Sequence, residues 1–446
     1  MPAATQARRV CAKLLGEVRR RDAHARDLLR TSPDVNAFDA RDRAFVSRVV
    51  LGTIGAQGVL DAAIDRHLRR PHVEPKVRDA LRVSAYELLF LSTPPSVGVS
   101  QGVELVRHAR PRAAGMANAV LRRVADVEAP RRHDAQARTC EGIGSVADLE
   151  LVSGYPSWLL GRVWDERGPR AAQDLALSAL EPAPVCVAAV LSVCTADEAR
   201  ALLDKHGLDP RDTNLPGSFA LGSPAALASS GLVERAQVVV SDLSAQRVAR
   251  MAHMLPNTSV LEVGQGRGTK TLLLENQAIA AGAPAHVVGI DSEEFKVRVS
   301  RKRMERAKLS KAVNCLAFDA CDLADDPLPR ELRGPFDLVF VDAPCSGTGT
   351  LRRHPEIAWH LLPKDVGSLA ELQGRMLDAA STRVLPGGAL CYATCSVLRA
   401  EDEDVVERFL AGPHGKVFVQ DGEPLLTLPR TADADGHFCV RLRREG

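Results

Sequence analysis

FDLVFVDAPCSGTG, running from Phe336 to Gly349, decides the fold. Leu338-Val339-Phe340-Val341 is continuously apolar and rich in β-branched residues, the pattern of a strand buried on both faces, as in a parallel sheet. Asp342 follows at once. Pro344 cannot extend a central strand, so the strand stops and a rigid loop begins. In open α/β sheets, ligands bind outside the carboxyl ends of the strands, which is where this acid and Cys345 stand. A second stretch has the same form: Ala389-Leu390-Cys391-Tyr392-Ala393-Thr394-Cys395-Ser396, after the turn Pro386-Gly387-Gly388. Two strand-end thiols, Cys345 and Cys395, can therefore face one cleft. The alternative is a pair of buried structural cysteines, the usual fate of a free Cys.

DAPCSGTG followed by YATCS resembles the two cysteine motifs of the RNA (cytosine-5)-methyltransferases. The continuation Arg352-Arg353-His354-Pro355-Glu356-Ile357-Ala358-Trp359 is similar to the corresponding run of the bacterial 16S rRNA branch, the RsmB/Sun proteins. In that family a helical NusB-like RNA-binding domain precedes the catalytic part.

The composition fits this class. A chain of 446 residues leaves room for about two to four domains. Its 45% apolar and 26% charged content is that of an ordinary globular protein. There is no apolar run long enough to span a membrane, and MPAATQARRV lacks the apolar core of a secretory signal. The ten cysteines include no C-x-x-C pair, which speaks against zinc and redox-dithiol chemistry; no metal site is expected. A reduced, cytoplasmic protein is the expectation, with a monomer as the expected state. Net charge is only +2, but residues 1–132 hold 24 Lys and Arg against 14 Asp and Glu. A positive excess confined to one part suits a polyanion such as RNA, and equally a solvated Arg-rich surface.

Taken in order, residues 1–130 show helical spacing: Val10, Leu14, Leu15 and Val18, then Phe45, Val49 and Val50, then Leu81, Ala85, Leu88 and Leu89. Breakers at Thr31-Ser32-Pro33-Asp34, Arg70-Pro71 and Thr93-Pro94-Pro95 separate them. This reads as an all-α bundle, similar to the NusB-like domain in Arg41–Phe45, Leu81–Leu89 and Asn118–Arg123. Residues 131–150 read as a linker, 151–240 as a small α+β subdomain, and 241–446 as a doubly wound, Rossmann-like α/β domain.

In the α/β part, Val260-Leu261-Glu262-Val263 runs into Gly264-Gln265-Gly266-Arg267-Gly268-Thr269-Lys270, a strand followed by a glycine turn and a helix. The E-x-G-x-G-x-G form resembles the general motif for S-adenosyl-L-methionine (SAM). The family has CAAPGGKT here, so the loop is remodelled while Gly268, Lys270 and Thr271 remain. Asp291 and Asp319 end two further strands; the resemblance places the first at the cofactor ribose and the second near the adenine. Capping of a turn is the plain alternative for both. Lys270 is a candidate partner for the cofactor carboxylate.

The resemblance implies a mechanism. Carbon 5 of cytosine is a poor nucleophile, and a thiolate added at carbon 6 activates it. Cys395 is then the nucleophile and Cys345 assists product release, while Asp342 meets N3 of the base and borders the cofactor; the residues alone do not rank the two thiols. Methylation of 16S rRNA is the leading reading. A tRNA (cytosine-5)-methyltransferase and a non-catalytic RNA-binding assembly factor that has lost SAM are the alternatives. Glu401-Asp402-Glu403-Asp404 reads as the acidic first turn of a helix.

Overall fold

The computed structural model describes residues 5–21, 25–70, 72–429 and 434–446. Pro71, one of the sequence breakers, and the first four residues lie outside them. The chain divides into two compact units. One comprises residues 1–181 and 351–362, the other 182–350 and 363–446. Among the described residues no helix is long and apolar enough to cross a membrane.

The first unit is helical. Helix Pro75–Phe90 lies at its centre, burying Leu81, Val83, Ala85, Leu88 and Leu89 against Val10, Leu14 and Leu15 of helix Gln6–Arg21 and Val46, Val49 and Val50 of helix Ala40–Gly55. Two acids of the central helix are also buried, and each is paired. Glu87 accepts from Arg8 at 2.6 Å and Asp79 from Arg19 at 3.0 Å, as burial of a carboxylate requires. Residues 131–150, read as a linker, are instead mostly helical: Ala129–Glu141 is one helix and Val146–Ser153 another. The composition misleads because one of its arginines is structural. Arg132 is buried, lies 4.1 Å over the ring of Phe90 and donates to the Val152 carbonyl at 2.9 Å. Burial lowers its pKa to about 10. A reciprocal Ser145–Asp148 cap starts the following helix. Helices Ser157–Arg167 and Pro169–Ser178, assigned from sequence to the α+β part, group with this unit as well.

Segment 351–362 belongs to the same unit although it follows the PCSGTG loop directly in the chain. Trp359 fixes it there. Its indole N–H donates to the Gly55 carbonyl at 2.6 Å, and its ring occupies the space a Cβ on Gly58 would need, only 1.8 Å from that position.

The second unit holds two sheets. Strands β1 (Cys186–Ala189), β2 (Pro210–Asp212), β3 (Ser218–Leu221) and β4 (Val238–Val240) form a small antiparallel sheet in the order β2-β3-β1-β4. The large sheet comprises β5 (Ser259–Val263), β6 (His286–Asp291), β7 (Val313–Ala317), β8 (Phe336–Asp342), β9 (Val384–Thr394), β10 (Phe418–Gln420), β11 (Leu425–Thr427) and β12 (His437–Arg444). Its order is β10-β12-β9-β8-β5-β6-β7, with β11 beside β12. The five strands β5 to β9 run parallel and β12 is antiparallel to β9. Alternate residues of β8 enter opposite cores. Leu338 and Phe340 pack on the side of helices Thr269–Ala280 and Glu294–Arg306, Val339 and Val341 on the side of helices Pro363–Ser381 and Glu403–Ala411. Strand order reverses between β5 and β8, the switch point beside which this sheet class binds ligands.

A methyl group on Gly58 has no room beside Trp359. Gly58→Ala is therefore expected to release segment 351–362 and speed tryptic cleavage after Arg352 and Arg353, while circular dichroism retains the helix content. An unchanged digestion rate would show that the indole does not hold the segment.

Candidate active site

The functional side chains gather at the carboxyl ends of β5, β6, β8 and β9. Parallel pairing sets their register: Asp342 of β8 lies opposite Ala393 of β9. The pairing continues beyond the strands, since Ala343 N–H donates to the Ala393 carbonyl at 2.9 Å and Gly349 N–H to that of Cys395, also at 2.9 Å. Cys345 and Cys395 consequently meet, with their sulfurs 3.0 Å apart and the Cys395 N–H donating to Cys345 Sγ at 3.2 Å. Both thiols are free.

On the β5 side of Asp342, Lys270 Nζ donates to Asp342 Oδ2 at 2.7 Å; the two side chains are 16% and 25% exposed, enough shielding for the pair to be held. Burial works against the Lys270 ammonium, but Asp342 and then the two thiols outweigh it and hold its pKa up. The thiols split. The hydrogen bond from Cys345 pushes the Cys395 pKa down; burial opposes this, and the Lys270 charge adds to the lowering. Cys345, donating that bond and buried beside the resulting charge, is pushed well up and keeps its proton. The site thus holds one activated sulfur and one protonated neighbour.

The glycine turn crosses the end of β5. Gly264 takes φ +77°, and a Cβ there would lie 2.1 Å from the Asp342 carbonyl oxygen, so this position admits glycine alone. Asp291 at the end of β6 accepts from Gly266 N–H at 3.0 Å and from Glu293 N–H at 2.9 Å, which ties the turn to the neighbouring strand. Gln265 faces inward. Its side chain is buried, lies over Gly289 and donates to Thr271 Oγ1 at 3.2 Å; Thr271 in turn donates to Glu262 at 2.6 Å. Its own N–H and that of Gly264 are taken by the Ile290 carbonyl. Of the sequence candidates, Gln265 therefore braces the turn rather than lining it. Arg267 is exposed, and Thr269 accepts from Arg303 at 2.6 Å. Asp319 is exposed and caps a short 3-10 turn by accepting from Cys321 N–H at 2.9 Å, the plainer of its two sequence readings.

Burial raises the Glu262 pKa to about 8, partly offset by the bond from Thr271. Sequence reading also missed Glu401 and Asp402. They were assigned to an acidic first turn, but helix Glu403–Ala411 begins after them, and both are fully buried beneath the cysteine loops. A short-range acid pattern carries no sign of that direction.

Two measurements test these electrostatics. Alkylation of Cys395, followed peptide by peptide against pH, should have its midpoint below that of an ordinary thiol. Lys270→Met removes the cation that favours the thiolate, so the midpoint should rise; no movement would detach Lys270 from Cys395. Glu262 binds a proton in the folded state between about 4.5 and about 8 that the unfolded chain releases, so its contribution makes stability fall as pH rises through that window. Glu262→Gln should flatten that part of the melting-temperature profile. Glu275, raised by burial to about 7, preserves some slope.

Comparison with known proteins places these features in context. Residues 250–442 match a family described as 16S rRNA methyltransferase RsmB/F, and residues 5–126 match the NusB family. The chain is 30% identical over 422 residues to the ribosomal RNA small subunit methyltransferase B of Xylella fastidiosa, covering 91% of each protein. It is 27% identical over 412 residues to the protein of the same name from Klebsiella pneumoniae, covering 90% of each. Among solved structures, PH0851 superposes over 100% of both chains with a TM-score of 0.75 at 19% identity, a likeness of fold.

Proposed function

Because the chain belongs to the RsmB/F family of 16S rRNA methyltransferases, we propose that it methylates carbon 5 of a cytosine in 16S rRNA through a transient bond between Cys395 and carbon 6. The observation that carries this reading is the 3.0 Å approach of two strand-end thiols beside the Lys270–Asp342 pair. Covalent activation of a pyrimidine needs an ionised sulfur, a proton source at the ring edge and a second group that eases the sulfur's departure.

S-adenosyl-L-methionine, when bound, supplies the electrophilic methyl group. The residues at the glycine turn fit it. Gly266 faces open space, with only the Gly264 carbonyl within 4 Å of where its Cβ would stand, at 3.9 Å. The largely buried Asp291 carboxylate stands beside it, accepting from the Gly266 N–H. These two, with the backbone of Thr269, would hold the cofactor; Lys270 is committed to Asp342 in the free protein.

Cys395 adds as thiolate to carbon 6, and the electrons of the 5,6 double bond become available at carbon 5. Negative charge then grows at N3, which takes a proton from the Lys270–Asp342 pair. After carbon 5 is methylated it carries both the methyl group and its original hydrogen. That hydrogen leaves as a proton to water, its electron pair returns to the ring, the carbon 6–sulfur bond breaks, Cys395 leaves as thiolate, and N3 gives its proton back to the Lys270–Asp342 pair. Cys345 acts at this last step, since its S–H stabilises the departing sulfur by the same hydrogen bond that lowers the resting pKa. The target base has to leave its stack for its ring to meet Cys395.

Cys395→Ala should abolish methyl transfer. Cys345→Ala should leave sulfur and RNA joined, seen as a slow band on a denaturing gel that disappears in the double variant. If Cys395→Ala gives the band instead, the two roles are reversed; if neither gives it, the covalent route is wrong. Bisulfite sequencing of ribosomal RNA from cells with and without the protein should show one cytosine losing protection.

A further inference from the structure

Beneath the two cysteines lies a carboxylate the reaction above does not use. Glu401 is fully buried in a short 3-10 turn between β9 and helix Glu403–Ala411. Oε1 accepts from Ser346 N–H at 2.8 Å and from Gln373 Nε2 at 3.2 Å. Oε2 accepts from the hydroxyls of Ser346 and Ser396, at 2.5 and 2.7 Å. Ser346 directly follows Cys345, and Ser396 directly follows Cys395. One carboxylate thus grips the residue after each thiol. The turn that presents it is itself anchored, because Tyr392 Oη donates to the Glu401 carbonyl at 2.5 Å and Thr394 Oγ1 to Asp402 at 2.5 Å. Thr348 closes the net by bonding Ser346 and Ser396, each at 3.1 Å.

The donors around this carboxylate are hydroxyls and amides, with no cation among them. A buried charge without a counter-ion is expensive unless its lone pairs are fully satisfied, and Glu401 has four donors. A structural tie between two loops could be made with neutral groups at lower cost. No charge would then lie near the thiols.

We propose that Glu401 is the positioning residue of the thiol pair: through Ser346 and Ser396 it sets the separation of Cys345 and Cys395, and through its charge it keeps the pair from ionising twice. This rests on the covalent reading of the site. With geometry fixed, the second effect follows from Coulomb repulsion in a water-poor site. Glu401 acts to raise the pKa of both sulfurs, in opposition to Lys270 at Cys395. The consequence is a dyad with one thiolate and one S–H, the state in which Cys395 can attack while Cys345 still has a proton to donate.

The test uses the full-length protein and separates charge from geometry. Glu401→Gln keeps size and some hydrogen bonds but removes the charge. Its Cys395 alkylation midpoint should move to lower pH, and kcat should fall by about tenfold to a hundredfold, as sub-ångström misplacement does. KM for SAM should stay close to that of the parent. Glu401→Asp keeps the charge but is one methylene too short to reach both serines; it should lose kcat without the downward shift of the midpoint. Should Glu401→Gln not fold, Ser346→Ala/Ser396→Ala removes the two hydroxyl anchors above a native carboxylate, and the same loss of kcat is expected. Parent-like kcat in the folded variants, or an unmoved midpoint in Glu401→Gln, overturns the proposal. Failure of the underlying reading looks different: the Cys345→Ala protein with an intact Glu401 would then form no RNA adduct at all.

Discussion

The hydrogen-bonded seam between β8 and β9 is the constraint the active centre depends on. Each strand places its cysteine two or three residues past the last paired position, on a loop beyond the ladder. What brings the sulfurs together is that the seam does not stop with the strands. The bonds from Ala343 and Gly349 to the Ala393 and Cys395 carbonyls carry the pairing past Pro344, where a central ladder would otherwise end. Parallel strands need a long crossover between them, here helix Pro363–Ser381, so the two halves of the dyad lie far apart in sequence yet adjacent in space.

Around that seam the protein buries acids that a stability-driven design would avoid. Glu262, Glu275 and Glu401 all lie in the interior of the α/β unit, and burial alone pushes the first two far above the ordinary carboxylate range. Each has a distinct task. Glu262 bonds Thr271 at the start of the helix that follows the glycine turn, and Glu275 accepts the Ala285 N–H that leads into β6. Glu401 alone sits against reacting groups. Glu262 can relieve its cost by taking a proton, whereas Glu401 accepts four hydrogen bonds. The same residue type therefore braces the cofactor side through one threonine and the thiol side through the residues that follow both cysteines.

How much of this was legible in the sequence depends on the range of the contact. Leu338–Val341 and Val260–Val263 are continuous apolar runs ending in an acid or a glycine, and that local pattern is enough to give parallel strands and the edge at which ligands bind. The meeting of Cys345 and Cys395 was readable because both follow such strands. The direction of Gln265 was not, since it turns on the missing side chain at Gly289 in the neighbouring strand β6. Glu401 looked like helix capping because acids in a first turn are common. The helices at 129–153 were hidden by a Pro- and Arg-rich composition in which Arg132 turns out to stack and donate inside the bundle. Residues 352–359 resemble the family run, yet only the packing of Trp359 shows which unit they join.

The remodelled glycine turn is explained by the same long-range reasoning. A Cβ on residue 289 would lie 2.0 Å from the Gln265 amide nitrogen, so the larger side chain at 265 is possible only over a glycine in β6. Once seated there, Gln265 donates to Thr271, leaving the threonine hydroxyl to donate onward to Glu262. The chain Gln265–Thr271–Glu262 thus links turn, helix and strand beneath the positions where the family motif has small residues and a proline. A proline stiffens a turn by fixing its backbone from within; a buried hydrogen-bonded relay stiffens it from below. The backbone of Gly264, Gly266 and Gly268 keeps its positive φ angles either way, and with them the open face beside Asp291 that a nucleoside requires.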